Sequence, residues 1–195
     1  ISNKYNVAAC MKHFVGYHST ISGKDRTPAY IPDNVLKEYH IEPFKKAIDA
    51  GAKSIMINSG LINGLPVHAD YNLMINVLRN ELGFEGVILT DWEDIRKLHD
   101  RDKVAATQKE AVKMAINAGI DMSMVPYEYE QFINDLKDLV NEGEVSIERI
   151  DDAVKRILKL KLELNLFNNP VTNYEEYEDF GSKKHHQLAY KAASE

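Results

Sequence analysis

An α/β fold carrying a parallel sheet is what this sequence predicts. Short apolar runs alternate with helical periods four times, the pattern of β/α units. The run Val87-Ile88-Leu89 is apolar at successive positions, as a strand buried on both faces must be. Polar clusters recur at the C-terminal ends of the runs, the edge where parallel β/α proteins build their sites.

The first strand spans roughly Tyr5 to Met11 and ends in Lys12-His13-Phe14. A polar loop from Gly16 to Pro32 follows, containing Ser22-Gly23-Lys24-Asp25-Arg26. A loop that long without periodicity points to function. Helical signal resumes at Asp33, a candidate cap, and Pro43 predicts a break into two short helices. Gly51 is a C-terminal stop. The second strand is Ser54 to Asn58. A loop with Asn63-Gly64 and Pro66 leads to an Asp70-capped helix with Leu73, Met74, Val77 and Leu78 on one face, ending at Gly83.

The third strand, Gly86 to Thr90, runs straight into Asp91-Trp92. The next helix carries Ala111, Met114, Ala115 and Ala118 and closes at Gly119. The fourth strand is Ile120 to Val125. Helices near Glu128 to Asn141 and Ser146 to Leu166 follow, the latter with an apolar stripe of Ile147, Ile150, Val154, Ile157 and Leu158. Tyr174 to Asp179 reads as an acidic linker, and Lys184 to Glu195 as the start of a further helix. Four such units suit half of a closed barrel or a small open sheet, and the pattern alone fits both.

Composition sets bounds on function. Of the 195 residues, 44% are hydrophobic and 28% charged, which is the balance of an ordinary globular domain. A net charge of -6 leaves no basic footprint for nucleic acid and no polybasic patch for a membrane surface. No apolar run approaches the roughly 20 residues of a membrane-spanning helix. Cys10, alone of its kind in an apolar segment, is expected to be a buried inert thiol. A chain that begins at Ile1 reads as a piece of a longer polypeptide.

Three strand ends carry candidate chemistry: Lys12-His13, Asn58-Ser59 and Asp91-Trp92-Glu93. Asp91 is either a helix cap or a fixed carboxylate beside an aromatic wall. Trp92 is either a core residue or a platform for the apolar C–H face of a sugar. Lys12 and His13 point in opposite directions along a regular strand, so both reach one ligand only if the chain turns there. No metal-ligand spacing, phosphate loop or G-x-S-x-G elbow is present, and no cofactor is expected.

At these residues the sequence resembles glycoside hydrolase family 3, β-glucosidase type. The matching segments are Lys12-His13-Phe14-Val15-Gly16-Tyr17, Met56-Ile57-Asn58-Ser59 through Asn63-Gly64, Leu78-Arg79 through Gly86, Val87 to Trp92, Ala118-Gly119-Ile120-Asp121-Met122 and Arg156-Ile157-Leu158. The resemblance implies that residues 1–170 are the C-terminal half, about four β/α units, of a (β/α)8 TIM-type barrel. Residues 171–195 would be a linker and the start of the connection to a second, α/β-sandwich domain. The N-terminal half-barrel and that second domain of the same protein would be the partners of this segment.

The resemblance further implies a retaining exo-β-glucosidase acting on a β-glucoside oligosaccharide through a covalent glycosyl-aspartate. Asp91 would be the nucleophile, Lys12 and His13 would bind hydroxyls of the innermost sugar, and Trp92 would shape the next subsite. Ser59 stands near the place where many members have an aromatic residue, and is a candidate for the same wall. The acid/base glutamate would come from the second domain; Glu93 is the alternative within this chain. The hexosaminidase branch continues Lys-His-Phe into Pro-Gly-His-Gly-Asp, whereas this chain reads Val15-Gly16-Tyr17-His18-Ser19-Thr20. The resemblance would also imply export of the full-length protein to a periplasm, a lysosome-like compartment or the medium, which no residue of this sequence shows. The rival readings are a β-N-acetylhexosaminidase of the same family, a Schiff-base lyase using Lys12, and a fragment that binds sugar without turnover.

Overall fold

The computed structural model describes residues 7–170 and 177–195, and divides the chain into two compact units, Ile1–Leu160 and Lys161–Glu195. In the first unit a three-stranded parallel sheet has the order β1 (Cys10–Phe14), β2 (Ser54–Ile57), β5 (Val87–Leu89). The part of the first strand expected at Tyr5 and Asn6 lies outside the described residues. The predicted fourth strand, Ile120 to Val125, is reduced to a parallel bridge between Leu89 and Met122. It still lies alongside β5, because Asp121 and Met122 donate to the Ile88 carbonyl and Thr90 donates to that of Met122.

A helical run follows the first loop as α1 (Asp33–Val35), a π-helix (Leu36–Ile41) and α2 (Glu42–Asp49). The break expected at Pro43 does not occur. Proline lacks an N–H and crowds the preceding turn, and here it falls in the first turn of α2, directly after the wider π winding. Asp33 opens the run as its first residue and makes no side-chain cap. Beyond β2, a two-residue hairpin pairs β3 (Leu61–Ile62) with β4 (Leu65–Pro66). A 3-10 turn (Val67–Ala69) then leads into the helix Asn72–Glu81, which is also π-wound. Its expected cap is present: Asp70 Oδ1 accepts from the Leu73 N–H at 3.0 Å. Leu73, Met74, Val77 and Leu78 are buried as a set.

After β5 come α3 (Asp94–Asp100), α4 (Gln108–Ala118), α5 (Tyr129–Asn141) and α6 (Ile147–Glu163). Thr107 caps α4 by accepting from the Glu110 N–H at 3.1 Å, and Gly119 ends it at φ 118. Phe14, Ile55, Ile57, Ile88, Met74 and Leu98 form the centre of the core, between the sheet and these helices. Asp121 ties the elements together. Its carboxylate accepts from Arg79 Nη2 (2.6 Å), Arg149 Nη2 (2.7 Å) and the Ile88 N–H (2.9 Å).

One expectation about burial is corrected. Cys10 is exposed, because its side chain shares the exposed face of β1 with Lys12, whereas Met11 on the opposite face packs against the core. Along the α6 stripe Ile150 packs against the core, Ile147, Val154 and Leu158 are exposed, Ala153 is buried, and Arg149 reaches inward to Asp121. In the second unit, α7 (Lys183–Ser194) forms where a helix was expected, with Ser182 Oγ accepting from the His185 N–H. Of the predicted linker, Tyr174 to Glu176 lie outside the described residues.

Candidate functional site

Asp91 follows β5 by two residues, so the buried strand fixes where its backbone emerges. Its two carboxylate oxygens have different surroundings. Oδ1 accepts from the Trp92 N–H at 2.6 Å. Oδ2 accepts from Arg26 Nη2 at 3.3 Å and lies 3.7 Å from His13 Nε2, beyond ordinary hydrogen-bond reach. Partial burial favours the neutral acid, but the Trp92 N–H, Arg26 and His13 outweigh it and hold the Asp91 carboxyl below its ordinary value.

His13 lies near the end of β1, whose register against β2 shifts between Met11 and Phe14. Such irregularities re-aim side chains at the rims of sheets. The His13 ring packs on Tyr17, with centroids 4.5 Å apart. Burial pulls its pKa below the ordinary imidazole value and outweighs the upward pull of Asp91. His13 is therefore a neutral donor or acceptor near neutral pH, and does not lock Asp91 into a full ion pair. Lys12, its neighbour, is exposed.

Arg26 was not singled out from the sequence as a site residue. It comes from the long Gly16-to-Pro32 loop and reaches Asp91 across 65 residues of chain. The loop leaves β1 through Gly16 at φ 73, where a Cβ would collide with the Ile31 and Ile62 side chains. Arg26 itself has φ 60, a conformation that costs a non-glycine residue energy and is typical of functional loops. The sequence signal was the length of that loop together with its Lys24-Asp25-Arg26 charges.

Trp92 is 44% exposed and meets Tyr127 edge-on, with centroids 6.0 Å apart, so it stands as an open aromatic surface beside Asp91. Glu93 adopts φ 55, and its N–H donates to the Met124 carbonyl at 2.9 Å. It lines a cavity of about 130 Å³ together with Ile95, Arg96, Phe132 and Asp135, a set that does not include Asp91.

Ser59, expected on the subsite wall, is 2% exposed. Its hydroxyl donates to Asp94 Oδ1 at 2.6 Å and accepts from Arg101 Nη1 at 3.2 Å. The structure thus gathers Asp91, His13 and Trp92 on one edge together with Arg26, and places Ser59 beneath it. Among the described residues no group of three or more His, Cys, Asp or Glu is arranged to hold a metal. No helix among them is long and apolar enough to cross a membrane.

Comparison with known proteins matches this arrangement to a family. The model of the glycosyl hydrolase family 3 N terminal domain matches residues 2–160. The lysosomal beta glucosidase of Dictyostelium discoideum is 47% identical over 172 residues, covering 88% of this chain and 21% of that protein. The periplasmic beta-glucosidase of Salmonella typhimurium is 32% identical over 172 residues, covering 88% and 22%. The crystal structure of a beta-glucosidase from Listeria innocua superposes with a TM-score of 0.83 at 31% identity, covering 92% of this chain and 25% of that one. The chain thus spans about a fifth to a quarter of these relatives. With the family model covering most of its length and a relative 47% identical over 88% of it, this chain belongs to glycosyl hydrolase family 3.

Proposed function

We propose that this chain supplies the nucleophile and part of the innermost sugar subsite of a retaining exo-β-glucosidase, as the second half of its barrel domain. The observation that carries the reading is Asp91: a carboxylate held ionised at a strand end, flanked by Arg26 and His13, with Trp92 open beside it. A retaining glycosidase needs one carboxylate to attack the anomeric carbon and one carboxylic acid, about 5–5.5 Å away, to protonate the leaving oxygen. Asp91 suits the first role. Its oxygen forms a bond to the anomeric carbon as the glycosidic C–O bond breaks and the leaving oxygen takes the acid's proton. Water then attacks the glycosyl-aspartate, giving up a proton to the same acid/base and freeing the sugar.

The cation Arg26 keeps Asp91 charged and oriented, and neutral His13, with Lys12, binds sugar hydroxyls. Trp92 offers the flat face on which the adjoining sugar rests. Glu93 lines a different cavity, which supports an acid/base supplied from outside this chain. Lys12 is exposed, whereas a Schiff-base amine needs desolvation, and this favours the glycosidase over the lyase. The loop that distinguishes the hexosaminidase branch reads Val15-Gly16-Tyr17-His18-Ser19-Thr20 here and lacks the Pro-Gly-His-Gly-Asp run, which favours the glucosidase branch.

The test is Asp91→Asn in the full-length protein together with covalent trapping. Turnover of an aryl β-glucoside should fall by several orders of magnitude with little change in thermal stability. A 2-fluoroglucoside should label the peptide Gly86 to Asp94. Label on another carboxylate, with Asp91→Asn still active, would overturn the reading.

A further inference from the structure

Three residues beyond Asp91 lies a second carboxylate, which the proposed reaction does not use. Asp94 is 1% exposed, at the start of α3. Its Oδ1 accepts from Ser59 Oγ at 2.6 Å and from Lys97 Nζ at 3.0 Å. Its Oδ2 faces His68 Nε2 at 3.6 Å, and neither atom has a hydrogen-bond partner. His68 is 2% exposed, so the pair is shut off from water. A buried carboxylate is costly unless its charge is used.

The connections show what this one holds. Lys97 Nζ donates to Asp94 and, at 2.6 Å, to the carbonyl of Trp92. The Asp94 N–H points back to the Asp91 carbonyl at 3.4 Å. Between them Glu93 sits at φ 55, a left-handed turn that must be held by its surroundings. On the far side Ser59 anchors Asp94 to the end of β2, and Arg101 joins Ser59 to Asp102 through two hydrogen bonds of 2.7 and 3.0 Å.

We propose that Asp94 is a positioning residue: with Ser59 and Lys97 it clamps the turn Asp91-Trp92-Glu93 to the end of β2, and so sets the angle at which the Asp91 carboxylate meets the sugar. The inference rests on Asp91 being the nucleophile. It also gives Ser59 a role beneath the site rather than on its wall. A misplacement of about 1 Å at a reacting group can cost about 100-fold in rate, so a clamp of this kind acts on the chemical step more than on binding.

The experiment compares Asp94→Asn, Ser59→Ala and the double variant in the full-length protein. Each single variant should lower kcat about tenfold or more, with KM for an aryl β-glucoside changed by less than about twofold. Inactivation by a 2-fluoroglucoside should slow in the same proportion, with the label still on Asp91. The double variant should be no slower than the worse single one, because both cut the same link. Lys97→Met, which removes the clamp on the Trp92 carbonyl from a partly exposed position, should show the same kcat-selective loss and decides the matter if Asp94→Asn does not fold. Folded variants with unchanged kcat and an unchanged labelling rate at Asp91 would overturn the clamp while leaving the nucleophile in place. A rise in KM alone for Ser59→Ala would return Ser59 to the subsite wall and overturn it too. Label on a different carboxylate in the unsubstituted protein would overturn the nucleophile and the clamp with it.

Discussion

At the scale of single residues, the candidate site keeps one carboxylate charged without neutralising it. Arg26 makes the only direct side-chain hydrogen bond to Asp91 among the described residues, at 3.3 Å, and His13 stands just out of range. Removing Arg26 takes a cation away from Asp91, so the Asp91 pKa rises. For Arg26→Ala the acid limb of kcat/KM should move to higher pH, with a loss of roughly 2–4 kcal/mol in transition-state stabilisation. Arg26→Lys should restore the charge but not the planar fork, and recover only part of the rate. A pH–rate profile identical to that of the unsubstituted protein would show that Arg26 does not act on Asp91. His68 gives a separate pH signature. Burial pulls its pKa below 6.5, and Asp94 offsets only part of that. The unfolded chain therefore binds the His68 proton first, and stability is full above pH 6.5 and declines as pH falls toward the folded value. Urea unfolding from pH 7 to pH 5 should show a falling midpoint, shallower in His68→Gln.

Secondary-structure elements are joined here by a few polar fasteners set in an apolar core. Asp121 holds Arg79 from the helix Asn72–Glu81 and Arg149 from α6, and accepts from the Ile88 N–H of β5. Burial lowers the Arg79 pKa to about 10 against the opposing pull of Asp121, so this guanidinium depends on its partner. Asp121→Ala takes from buried Arg79 its carboxylate partner and leaves Arg149 only Asp152, and should cost about 3–5 kcal/mol by denaturant unfolding. By contrast, Thr107→Ala removes one helix cap from α4 and should cost about 1 kcal/mol. Equal losses for the two would mean that the Asp121 node carries no special weight. Gly86 is a third fastener of a steric kind, since a Cβ there would run into the Lys53 carbonyl where β5 passes β2.

For the molecule as a whole, the sheet has no strand beyond β1 among the described residues. Cys10 and Lys12 lie exposed along β1, and beyond β5 pairing shrinks to the Leu89–Met122 bridge. Ile147, Val154 and Leu158 of α6 are exposed as well. Each roughly 100 Å² of apolar surface left in water forgoes about 2.5 kcal/mol. A few such patches match the whole stability of a domain, about 5–15 kcal/mol. A closed barrel has no such edges. Residues 1–195 expressed by themselves should therefore self-associate and release no aryl alcohol from an aryl β-glucoside. A monomer by size-exclusion chromatography that unfolds cooperatively and hydrolyses the glucoside would contradict both expectations.

Local pattern determined much of this protein. Alternating apolar runs and helical periods set the order of β1, β2 and β5 and the helices between them. Gly83, Gly119 and Asp70 ended or began helices where their backbone freedom or side-chain oxygen required. Asp91-Trp92 at the end of a buried strand was legible as a candidate site, since an all-apolar run that stops at a carboxylate is an unusual local event. Tertiary structure decided what distance along the chain conceals. The Arg26–Asp91 bond joins residues 65 apart, and Ser59–Asp94 joins residues 35 apart. Only the folded loop brings the first pair together, and only the register of β2 against β5 brings the second. The exposure of Cys10 and the π winding just before Pro43 were likewise beyond local pattern. Solvent access depends on which neighbours a strand acquires, and helix winding depends on how its turns are accommodated in the fold. A sequence states which residues prefer to be buried or turned; the packed sheet decides which of them meet.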